Sequence, residues 1–143
     1  MMNEILEEML SNYGLSEIDG PLSNPEIMEF FYDIGFSWVK DDSTAWCSAA
    51  LNFFAKKHLY ERSHKLDARS WLKVGEIVLE PKLGDIVVFW REAYDSWKGH
   101  VAIYINHNDK YVWCLGGNQG NSISITAYPR SRLLGYRRLR KII

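Results

Sequence analysis

The stretch Ser43-Thr44-Ala45-Trp46-Cys47-Ser48-Ala49-Ala50-Leu51-Asn52-Phe53-Phe54 sets a cysteine where a helix is due to begin. Small residues follow the cysteine, and then a bulky apolar pair. The spacing predicts a helix from about Cys47 to Lys57. At its first turn, unpaired backbone N–H groups and the positive end of the helix dipole favour a thiolate. Such a position lowers a cysteine pKa from ~8.5 into roughly the 3.5–7.5 range, most of all beside a histidine. Ser48, Ala49 and Ala50 let the helix approach a sheet closely, while Phe53 and Phe54 anchor its far end. On this stretch alone two readings stand: an inert packed thiol, or one placed for reaction.

Outward from this helix, the first half of the chain is helical. Ile5, Leu6, Met9 and Leu10 recur at helical spacing before Gly14. Asn24-Pro25-Glu26 supplies an N-cap, a proline at the first helical position and an early acid. Ile27, Phe30, Phe31 and Ile34 form the buried stripe of that second helix, and Gly35 suits its C-cap. A helical turn over Ala68–Leu72, capped by Asp67, follows the third. From residue 76 the pattern becomes that of strands: Glu76–Leu79, Asp85–Arg91, His100–Asn106, Lys110–Leu115, Ser122–Thr126 and Leu133–Arg140. Pro81–Gly84 reads as a turn and Asn106–Asp109 as a hairpin tip. Helices first and antiparallel strands second is an α+β fold. With no repeat and no low-complexity linker, residues 1–143 read as one domain, helical over about 1–75 and stranded over about 76–143.

Composition narrows the class. The chain has 143 residues, 47% hydrophobic and 24% charged, enough for one core. No apolar run nears the ~20 residues of a membrane helix, so no membrane insertion is expected. MMNEILEEML is acidic and lacks the basic start and apolar run of a signal peptide. The expectation is synthesis in the cytoplasm, with any work outside the cell following release or delivery. A net charge of −1 argues against nucleic acid as partner. Arg130, Arg132, Arg137, Arg138, Arg140 and Lys141 nevertheless crowd the C-terminus without an acid. They are either a solvated strand face or a face for an anionic polymer. Two cysteines are too few for a disulfide framework, and without clustered Cys/His spacing no metal is expected. Nor is any cofactor, and the chain reads as a monomer.

Geometry sorts the four histidines as partners for Cys47. His58 lies on nearly the same helix face but ~16 Å along the axis. His107 falls in the hairpin tip and His64 in a polar connector. His100 opens a strand, Val101-Ala102-Ile103-Tyr104-Ile105, that belongs inside the sheet, where it can face a helix start. A third group should orient the imidazole. With a four-residue hairpin tip, His100 stands roughly opposite Leu115, and Asn118 lies near but on the wrong face. A bulge at Gly116-Gly117 would correct this. Asn118 is the expected orienter, with Gln119 next.

Three blocks now resemble those of papain-like bacterial cell-wall cysteine peptidases, the NlpC-type peptidases and CHAP domains. They are Asp42-x-Thr44-x-Trp46-Cys47-Ser48, then Gly84-Asp85-Ile86-Val87-Val88-Phe89, then Gly99-His100-Val101-Ala102-Ile103-Tyr104. A GGNQ segment follows, and the resemblance covers about residues 20–140. It implies a papain-like fold with Cys47 as nucleophile, His100 as base and Asn118 as the third, most variable member. Asp85 matches a position that serves the turn and sheet. The implied substrate is peptidoglycan, cut at a peptide bond or at the amide joining muramic acid to L-alanine, as by a phage-type endolysin or a delivered antibacterial effector. Trp46, Trp97 and Gln119 are the expected substrate contacts. Two other classes remain open: a non-catalytic wall-binding module, and an acyltransferase or deamidase acting on protein.

Overall fold

The computed structural model describes residues 3–18, 22–42 and 45–142, so Ser43 and Thr44 of the cysteine stretch lie outside the described residues. Three α-helices precede a six-stranded sheet: α1 (Glu4–Ser11), α2 (Pro25–Asp33), α3 (Cys47–Lys57), β1 (Glu76–Val78), β2 (Ile86–Trp90), β3 (Gly99–His107), β4 (Tyr111–Gln119), β5 (Ser122–Pro129) and β6 (Leu133–Arg138). A 3-10 helix, η1 (Ala68–Lys73), links the halves, and a shorter one, Arg130–Arg132, joins β5 to β6. The α+β reading holds.

Local chemistry accounts for the helix bounds. The Asn3 side chain accepts from Leu6 N–H at the start of α1, and Asn24 accepts from Glu26 N–H at the start of α2. Gly35, just past α2, takes the left-handed conformation that ends a helix. Asp67 precedes η1, but its side chain makes no capping bond, so the expected cap is absent.

Sheet order is β1-β6-β2-β3-β4-β5, with every pairing antiparallel. The helices cover one face, where Ile86, Val88, Val101, Ile103, Leu115 and Ile123 meet Leu51, Phe54, Phe31 and Trp71. Burying a side chain such as Leu51 or Phe54 contributes about 1.5–3 kcal/mol. The other face carries a smaller cluster, Val87, Phe89, Ala102, Tyr104, Val112, Cys114 and Tyr136.

One register differs from expectation. Strands β3 and β4 run to His107 and from Tyr111, and pair Tyr104 with Cys114 and Ile103 with Leu115. The tip is therefore shorter than a four-residue loop over 106–109, and an extra residue, Ile105, bulges between paired positions. This slides β4 along its partner. Continued unbroken, the ladder would set His100 opposite Asn118 rather than Leu115.

Candidate active site

Helix α3 begins at Cys47, as its sequence predicts, and Trp46 precedes it without a side-chain cap. Cys47 is 6% exposed. Burial opposes its thiolate most strongly. A hydrogen bond and charge from His100, with backbone bonds from Val101 and Ser48, outweigh that burial and hold the thiol below its ordinary pKa.

By alternation His100 shares a face with Ala102 and Tyr104, away from the helices. Its imidazole still meets Cys47, because it stands at the end of β3, where the start of α3 abuts the sheet. Buried His100 places Nε2 2.7 Å from Gln119 Oε1. The Gln119 amide has a fixed orientation, since its Nε2 donates to the carbonyls of Ser124 at 2.6 Å and Cys114 at 3.2 Å. Its Oε1 thus accepts from His100 Nε2–H, which leaves Nδ1 as the unprotonated nitrogen for the thiol proton. The Tyr128 ring stacks on His100 with centroids 4.8 Å apart and on Phe89 at 5.0 Å.

The side chain bonded to His100 is therefore Gln119, not Asn118, and Gln119, expected also at the substrate, is buried. Two effects act together. The β4–β5 register shifts between Gly116 and Gln119, and Asn118 adopts a left-handed conformation, which turns the strand so that the next side chain enters the site. The expected bulge exists, but it selects the neighbouring residue. The glycine pair also allows close approach. A Cβ at Gly117 would lie 2.6 Å from the Trp46 ring, and one at Gly116 would lie 2.8 Å from Ala102 Cβ and 2.9 Å from Gln119 Oε1.

Trp46, expected at the substrate, is instead fully buried, and its Nε1 donates to Glu17 Oε2 at 2.9 Å. It is the wall that holds Gly117 against α3. Trp97 is 71% exposed and, with Cys47, lines a cleft of about 420 Å³ alongside Asp67, Arg91, Glu92 and Arg132. Its loop is held by Arg69, whose guanidinium donates to the carbonyls of Lys98, Tyr94 and Ala93. No sequence motif announced that clamp.

A buried polar network behind Cys47 likewise has no signature in the sequence. Ser48 Oγ donates to Lys65 O and accepts from Trp71 Nε1, while Asn52 bonds Ser63, Lys65 and the His64 N–H. It ties the connector before η1 to the back of α3. Asp42 has a structural part, accepting from Ile18 and Asn24 N–H. Asp85 accepts from Lys82 N–H and pairs with Arg138. Cys114 is a separate thiol; burial pushes its pKa up, and it donates to Gln119 Oε1 at 3.5 Å.

His58 sits at the far end of α3 against Glu8, and His107 bonds the Tyr104 hydroxyl, so neither touches Cys47. Much of the C-terminal basic run is engaged internally: Arg138 with Asp85, Arg140 with Glu61, Lys141 with Glu4, and Arg137 with the Leu72 carbonyl.

No protein-family description matches the chain, and no curated protein does. Among solved structures it is similar to a lipoprotein-like protein of the NLP/P60 family from Staphylococcus aureus, with 18% identity and a TM-score of 0.49. That match covers 94% of this chain, which spans 40% of the staphylococcal one. It is also similar to RipD from Mycobacterium tuberculosis, with 17% identity and a TM-score of 0.49 over 98% of this chain and 95% of that one. RipD is described as a non-catalytic NlpC/p60 domain protein adapted to peptidoglycan binding.

Proposed function

We propose that the chain is a cysteine hydrolase that cleaves an amide bond in the peptide part of peptidoglycan. One observation carries the chemistry: a thiol held below its ordinary pKa touches a histidine whose other nitrogen is fixed by a fully bonded glutamine amide. The wall substrate rests on the resemblance of the three sequence blocks. The cleft suits it, with Trp97 exposed on one wall and with Arg91 and Arg132 free of a carboxylate partner among the described residues.

In this reading Cys47 Sγ attacks the amide carbonyl carbon while His100 Nδ1 holds the thiol proton. Backbone N–H groups in the first turn of α3 stabilise the oxyanion. The tetrahedral intermediate collapses, His100 protonates the leaving amine, and the thioester remains. Water, deprotonated by His100, attacks the thioester carbonyl and releases the carboxylate and the thiol. Gln119 keeps the imidazole in the tautomer that both steps use.

Digestion of purified sacculi by the native chain and by Cys47→Ala, with soluble fragments read by mass spectrometry, tests this. Fragments from the native chain alone support hydrolysis, and their masses identify the bond. Binding to sacculi without fragments from either chain replaces the reading with a wall-binding module. Modification of soluble peptides with intact sacculi replaces it with acyl transfer or deamidation.

A further inference from the structure

Unspent positive charge gathers beside η1, around a cavity that does not include Cys47. A cavity of about 400 Å³ is lined by Arg62, Ser63, Lys65, Asp67, Arg69, Ser70, Lys73 and Val74. Four cations thus face one carboxylate in a chain whose net charge is −1. Elsewhere Lys56, Lys57, Lys98, Arg138, Arg140 and Lys141 each meet a carboxylate. Here, among the described residues, Lys65 and Lys73 meet none. Arg69 spends its N–H groups on carbonyls and keeps its charge uncompensated.

Arg62 supplies a second, independent sign. Its Nη1 is buried without a hydrogen-bond partner. Burial weakens its hold on the proton, and the charge of Asp33, which opposes this, is itself bound to Lys56. That nitrogen is closed to solvent, so what Arg62 brings to the cavity wall is positive charge without a carboxylate bound to it.

We propose that this cavity binds a phosphate group, free or carried as an ester. One carboxylate ligand would leave most of the positive charge standing, whereas a phosphate offers several acceptor oxygens to a guanidinium and to two lysines that act as mobile point charges. The connector that carries Arg62 and Lys65 is fixed by Asn52 and Ser48, so the cations stand on a braced segment. The cavity and the catalytic cleft share Asp67, which places a bound phosphate beside the cleft's rim. The cavity does not include the thiol, so the Cys47→Ala chain should keep the site.

The test is titration of the 15N-labelled full chain with inorganic phosphate at fixed ionic strength, because exposed cations respond to salt alone. Saturable shifts of amides over residues 62–74 are expected. Lys65→Gln combined with Lys73→Gln should weaken binding about tenfold or more, while Lys110→Gln at the hairpin tip leaves it unchanged. Both cavity lysines are exposed, so the double variant should fold normally, as a melting curve would verify. Glycerol 3-phosphate and poly(glycerol phosphate) separate the sources: tighter binding per phosphate by the polymer assigns the site to a polymer, and equal binding assigns it to a small ester. Linear shifts that never saturate with any of the three, equal affinity for acetate, or unchanged affinity in the double variant would overturn the proposal.

Discussion

At the scale of single residues, the proposed reactive centre depends on which of two neighbouring amides reaches His100. Gln119→Ala should lower kcat/KM by one to two orders of magnitude, since it frees the imidazole to rotate and change tautomer. Asn118→Ala should cost much less, and a steady-state comparison of the two variants on one substrate settles the assignment. The two thiols should also part company. Cys47 should react with iodoacetamide at a pH below that of an ordinary thiol, because its thiolate is the favoured form there, and His100→Ala should move that profile upward. Cys114, buried and raised, should stay unlabelled until the chain unfolds. A mass-resolved alkylation series across pH reads both residues at once.

Between elements, the contact that matters is that of β4 with the start of α3. Gly117→Ala would press a methyl group into Trp46, which cannot retreat because it is packed by Phe30 and bonded to Glu17. A loss of about 1–3 kcal/mol is expected in urea denaturation, with activity falling further than stability because His100 and Cys47 separate. The Arg69 clamp works differently. Arg69→Ala should leave the thiol's alkylation profile in place and raise KM, because it loosens the loop that presents Trp97 and leaves the reacting pair alone. Faster amide hydrogen exchange over residues 93–98 in the free protein would report the loosened loop without any substrate.

Across the whole molecule, acid should weaken the fold through carboxylates used as fasteners. Glu61 accepts from Arg140 and from Gly75 N–H; burial opposes its charge, yet those bonds prevail and hold its pKa below the ordinary value. Its contribution is therefore complete above the unfolded pKa and disappears as pH falls through the folded one. Glu61→Gln should flatten the loss of melting temperature over that acid range. The sequence showed helix α3, its cysteine, the histidine and each strand's place, because hydrophobic periodicity and turn residues are local signals. The choice of Gln119, the second candidate, over Asn118 and the clamp formed by Arg69 were not legible. Both depend on a hairpin slide and on tertiary hydrogen bonds between segments far apart in the chain. Trp46 was misread for the same reason, since nothing local separates a tryptophan that stacks on substrate from one that fills a core.

The strand order carries a consequence for how the protein is made. Strand β6, the last of the described strands, lies between β1 and β2, two strands that leave the ribosome long before it. Until Leu133–Arg138 arrives, β1 has no partner and the outer edge of β2 is open. A nascent chain that already carries Cys47, His100 and Gln119 therefore still lacks the strand that closes its sheet, and the sheet can first be completed only once Leu133–Arg138 has emerged.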